Sequence, residues 1–100
     1  MLKYKFTKQA LRFLRKIPAK HASQIVSKID KLASDPESVP TIQLEGFPHL
    51  RRGKSGEYRF IFQFKEGFVT VFVLKIGKRN DGEVYENLEN LRGENEEITD

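Results

Sequence analysis

The chain has 100 residues, 38% apolar and 32% charged, which suits one domain and is too apolar for a disordered chain. It has no cysteine, which excludes disulfide scaffolds, thiolate zinc sites, iron–sulfur ligation and cysteine nucleophiles. The net charge of +4 is uneven: residues 1–80 carry 17 basic and 6 acidic side chains, residues 81–100 one basic and eight acidic, so a polyanion-attracting body is followed by a stretch of opposite sign.

Leu2-Lys3-Tyr4-Lys5-Phe6 alternates with period two and predicts a half-buried strand. Thr7 suits an N-cap, flanked by Phe6 and Leu11 at the hydrophobic-staple positions. Ala10, Phe13, Leu14 and Ile17 then share one helical stripe, with Lys8, Arg12, Arg15 and Lys16 on the wet side. Pro18 closes this helix or opens the next. The stripe of Ala22, Ile25, Val26, Ile29, Leu32 and Ala33 carries a second helix to about Ser34, stopped by Asp35-Pro36, and the pair reads as a helical hairpin. Residues 35–49, with Pro36, Pro40, Gly46 and Pro48, predict a loop.

From Leu50 the period returns to two. Tyr58, Phe60, Phe62 and Phe64 share one face of a strand, and Arg59, Ile61 and Gln63 share the other. Lys65-Glu66-Gly67 predicts a hairpin turn into a strand from Phe68 to Ile76, ended by Gly77. Glu83 to Leu91 predicts a short last helix with Gly93 beyond it. The expected fold is α+β and two-layered. An N-terminal strand and helical hairpin pack on a mainly antiparallel sheet, whose other face stays partly open, and a short C-terminal helix follows. One domain over residues 1–93 and a frayed acidic tail over 94–100 are expected.

The two histidines, His21 and His49, fall on separate elements and read as ordinary surface residues. No metal-ligand spacing, glycine-rich phosphate loop or serine elbow is present, so neither metal nor cofactor is expected. No apolar stretch reaches the roughly 20 residues that cross a bilayer, and no signal-peptide core opens the chain. A cytoplasmic protein without membrane contact is therefore expected. What remains is a set of cations around the strands: Arg51, Arg52, Lys54, Arg59, Lys75, Lys78 and Arg79, with Tyr85 following. Crowded cations repel one another, and a phosphate relieves that repulsion through bidentate arginine and point-charge lysine contacts. Tyr85 offers a ring for a base. Such a patch binds RNA and has parts for cleaving it through the 2′-hydroxyl. Crowding by arginines destabilises an ammonium, which makes Lys54 the best-placed candidate for proton transfer. Charge patterning alone favours binding over cleavage.

Leu44-Glu45-Gly46, the run from Arg52-Gly53-Lys54-Ser55-Gly56-Glu57-Tyr58-Arg59 to Phe62, Val73 to Gly77-Lys78-Arg79, and Glu83-Val84-Tyr85 together resemble the RelE/ParE superfamily of toxins from toxin–antitoxin modules, the RelE branch above all. The resemblance spans roughly residues 1–90. It implies a ribosome-dependent, metal-independent endoribonuclease that cuts mRNA in the ribosomal A site, touches 16S rRNA through its basic surface and is neutralised by a RelB-like antitoxin. By position it implies Lys54 as a general acid or base, Arg52 as a phosphate ligand and Arg59 as the group stabilising the phosphorane. Arg79 would hold the scissile phosphate or assist the leaving group, and Tyr85 would stack on the nucleotide. Arg51, Lys75 and Lys78 are expected to bind RNA. Glu45 departs from the family pattern, which often has a basic residue there. Two other readings are a ParE-like inhibitor of DNA gyrase and a non-catalytic RNA-binding module.

Overall fold

β1 (Lys3–Thr7) opens the computed structural model, which describes residues 3–65, 70–79 and 98–99, and it runs directly into α1 (Lys8–Lys16). Thr7 makes that junction. Its backbone is extended, and its hydroxyl accepts from the Ala10 N–H at 3.3 Å while donating to the Leu74 carbonyl at 2.6 Å. A cap of this kind contributes about 1 kcal/mol. α2 (Ala19–Ser34) begins at Pro18, whose carbonyl accepts from Ala22 N–H at 3.0 Å, so the proline opens the second helix. It ends where Asp35 N–H reaches the Lys31 carbonyl, and a 3-10 turn over Pro36–Ser38 follows.

The remaining elements are strands: β2 (Ile42–Leu44), β3 (Phe47–Ser55), β4 (Tyr58–Lys65), β5 (Thr70–Lys78) and β6 (Ile98–Thr99). The order across the sheet is β2-β3-β4-β5-β1-β6. β1 lies parallel to β5, from Lys3 opposite Thr70 to Phe6 opposite Val73, and the other pairings are antiparallel. The loop expected over 35–49 is therefore partly a hairpin. Gly46, at φ 83°, makes the turn between β2 and β3. The β2–β3 register shifts between Gln43 and Leu44, and Pro48 falls in that irregular stretch, where a missing N–H disturbs no regular ladder. Ile98–Thr99 pairs with Phe6 and Thr7, which corrects the frayed-tail expectation at those two positions. The turn residues Glu66 and Gly67, the helix expected over 83–91 and the rest of the tail lie outside the described residues.

Two apolar clusters lie on opposite faces of the sheet. On the helix side Phe60, Phe62, Val71, Val73 and Ile76 pack with Ile25, Ile29, Leu32, Ala10 and Phe6. Each large side chain buried there contributes about 1.5–3 kcal/mol of hydrophobic stabilisation. On the other side Leu50, Ile61, Phe72 and Leu74 are at most 1% exposed, with Leu44 and Phe47 against them. The expectation of a partly open face is thus corrected over this cluster. Among the described residues no helix is long and apolar enough to cross a membrane.

Candidate active site

Strand pairing decides which cations meet. In the β3–β4–β5 ladder Arg52 lies opposite Ile61, which lies opposite Lys75; one step toward the β3–β4 turn, Lys54 lies opposite Arg59, which lies opposite Gly77. Residues directly opposed in an antiparallel pair project from the same face, with Cβ atoms about 4.5–5.5 Å apart. Arg59 therefore has Lys54 beside it and Arg52 and Lys75 on the diagonals, all on the face away from the helices. Gly77 contributes no side chain next to Arg59, which leaves floor space between the cations.

Lys75 reaches this face through a bulge. Between Ile61 and Phe62 the β4–β5 register shifts, and Leu74 is the extra residue on β5. Val71 and Val73 belong to the helix-side core, so uninterrupted alternation would point Lys75 at the helices. The bulge turns it to the side of Leu74 and Ile61. The part of β5 past β1 is held from the β1–α1 junction: the Thr7 hydroxyl donates to the Leu74 carbonyl, and the Gln9 Oε1 accepts from the Ile76 N–H at 3.3 Å.

Arg59 is half-buried and its orientation is set locally. One guanidinium nitrogen, Nη1, donates to the carbonyls of Gly56 at 3.1 Å and Tyr58 at 3.0 Å. The two-residue turn Gly56–Glu57 supplies one of those carbonyls, and Gly56 adopts φ 58° as such turns require. Lys54 is exposed, and no described hydrogen bond or ion pair engages it. Arg79 continues past β5: its N–H donates to the Glu57 carbonyl at 2.7 Å and its guanidinium lies 3.7 Å from the Glu57 carboxylate. Both side chains are more than half exposed, so this is a weak, salt-screened pair that a competing anion can displace.

Two of the expected RNA-binding residues lie elsewhere. Arg51 is opposite Phe62 and so faces the helix side, where its guanidinium donates to the Thr41 hydroxyl at 3.1 Å and the Thr41 carbonyl at 3.3 Å. It lines a cleft with Pro36, Glu37, His49 and Phe64. Lys78 is opposite the core residue Tyr58 and also points to the helix side. Tyr85 lies outside the described residues. Tyr58 itself belongs to the core, as its parity predicts, and a 2.9 Å hydrogen bond joins its hydroxyl to His21 Nδ1. His21 is thus half-buried rather than an ordinary surface histidine. Only the match of one polar tip to another across the helix–sheet interface distinguishes it, and nothing in the linear sequence signals that. Among the described residues no group of three histidine, aspartate or glutamate side chains is placed to hold a metal ion.

A two-layer α+β domain that gathers two arginines and two lysines on the sheet face away from its helices defines a small protein with a cationic cluster of the kind that suits a phosphate. A family model described as the ParE toxin of the type II toxin–antitoxin system parDE matches residues 4–82, and the chain belongs to this RelE/ParE superfamily of toxins. The mRNA interferase toxin RelE of Escherichia coli K12 is 32% identical over 82 residues, covering 80% of this chain and 85% of that protein. The structure of a doubly substituted E. coli RelE in the free state superposes with a TM-score of 0.72 at 27% identity, covering 91% of this chain and 98% of that one. The archaeal RelE–RelB complex of Pyrococcus horikoshii OT3 gives a TM-score of 0.66 at 27% identity, over 79% of this chain and 96% of that one. The expected α+β architecture and superfamily are both borne out.

Proposed function

We propose that this toxin cleaves mRNA on the ribosome, in the A site, and that a RelB-type antitoxin neutralises it in the cytoplasm. The observation that carries the reading is the meeting of Arg52, Lys54 and Arg59, with Lys75, on one sheet face. The relative named as an mRNA interferase supports it, and the neighbour in complex with RelB supports the partner.

The chemistry follows from the side chains present. The 2′-hydroxyl attacks the adjacent phosphorus, a P–O2′ bond forms and the P–O5′ bond breaks, leaving a 2′,3′-cyclic phosphate and a 5′-hydroxyl. The hydroxyl proton must be taken and another given to O5′. Lys54 serves one of these transfers. Arg52 binds the phosphate, and Arg59, held by two backbone carbonyls, meets the charge that grows on the phosphorane without having to reorganise. Arg79 exchanges Glu57 for the scissile phosphate or the leaving oxygen, and Tyr85 stacks on the nucleotide. Lys54 is exposed to water, where such electrostatics stay weak until walls close round the site. The ribosomal A site supplies them, with 16S rRNA held by the basic surface.

The test is translation with purified ribosomes. Messenger cut at A-site codons, and only when ribosomes are present, supports the reading. Uncut message together with altered DNA supercoiling supports the gyrase-inhibitor reading, which the ParE description of the matching family model favours. Arg59→Ala and Arg79→Ala are each expected to abolish growth arrest in cells. A variant with both substitutions that cuts at the wild-type rate overturns the site.

A further inference from the structure

A second basic feature lies across the β3–β4 turn from the cation cluster. A groove of about 430 Å³ runs between α2 and the turn, lined by Ser23, Ser27, Lys28 and Lys31 on the helix and by Ser55 and Gly56 on the hairpin. Lys31 is exposed and Lys28 half-buried. Among the described residues no ion pair or hydrogen bond engages either lysine's ammonium group. The one acid of the neighbouring turn, Glu57, lies against Arg79. Ser55 directly follows Lys54 in β3 and points to the opposite side of the strand. Cations therefore stand on both sides of a two-residue tip, Lys54 toward the site and Lys28 and Lys31 along the groove.

We propose that this groove holds the messenger strand at phosphates beyond the one that is cleaved, the proposal resting on the nuclease reading above. The lining chooses the ligand class. Hydroxyls and ammonium groups match phosphate and ribose oxygens. A protein or membrane partner needs an exposed apolar anchor, and among the described residues the one exposed large apolar side chain is Ile42, on β2 and away from the groove. Continuity with Lys54 favours the strand being cut over ribosomal RNA.

The test measures binding of the full chain to ribosomes programmed with a message whose A-site sugar lacks the 2′-hydroxyl. Lys28→Gln with Lys31→Gln is expected to weaken binding about tenfold, the weight of two screened charge contacts. The dependence of log affinity on log salt should become shallower by about 1.4. On an all-ribose message the same variant is expected to raise KM while kcat holds, and Lys28→Arg with Lys31→Arg is expected to restore KM. Unchanged affinity and salt slope overturn the proposal. An equal loss on ribosomes without message assigns the groove to ribosomal RNA and overturns it too, as does a fall in kcat that tracks a lowered melting temperature. A wild-type toxin that binds programmed ribosomes but leaves the all-ribose message whole refutes the nuclease reading and not the groove. A wild-type toxin that does not bind them at all overturns both.

Discussion

The two faces of the sheet are built from alternate residues of the same strands, yet they carry different kinds of work. On the helix side, Tyr58, Phe60 and Phe62 of β4 are all buried in one continuous core with α1 and α2. On the other side, Arg59 and Ile61 share a surface on which four buried apolar residues sit beside a fork of cations. The apolar cluster stiffens the floor, and of the cations at its hairpin end Arg52, Arg59 and Lys75 are half-buried while Lys54 is exposed to water. Stability and chemistry are therefore divided by residue parity, so neighbouring substitutions in one strand should change different observables.

The largest effect belongs to the helix side. Phe60→Ala is expected to cost about 3–5 kcal/mol, read as a lower midpoint in chemical denaturation; an unchanged midpoint would break the division. One residue earlier, Arg59→Ala is expected to lower kcat by about 10²–10³-fold with stability moved by less than about 1 kcal/mol. A matching collapse in melting temperature would show that the cation is structural. Gly53 tests the contact between hairpin strands: a Cβ there would lie 2.3 Å from the Phe60 ring, so Gly53→Ala is expected to destabilise by about 1–3 kcal/mol, with the ring displaced in a crystal structure. The smallest effect is that of Tyr58→Phe. It removes the hydroxyl bonded to His21 and should cost about 0.5–1.5 kcal/mol, measured by thermal melting, with turnover close to that of the wild type.

Much of this division is written in local order. The alternation of Tyr58, Phe60 and Phe62 with Arg59 and Ile61 shows which residues share a face, and Thr7 announces the start of α1 before any tertiary contact is known. What is not local stays hidden. Arg51 and Lys78 read as members of the cation set by composition, although parity sends them to the helix side. Lys75 reaches the site only because Leu74 is inserted as a bulge, which no residue type signals. The β2–β3 hairpin is hidden in the sequence by Pro48, whose missing donor falls where the register slips. The parallel seat of β1 beside β5 depends on a crossover that short-range patterns do not specify. The roles expected of Tyr85 and Arg79 rest on the family motif, and Tyr85 lies outside the described residues.

That seat of β1 sets an order of events during synthesis. The strand made first must wait for Thr70 to Val73, its parallel neighbours, and such distant pairing is slow to find. Until β5 is made, Arg59 has no Gly77 beside it and no Lys75 on its diagonal, so the cation cluster is completed only when that strand takes its place in the sheet.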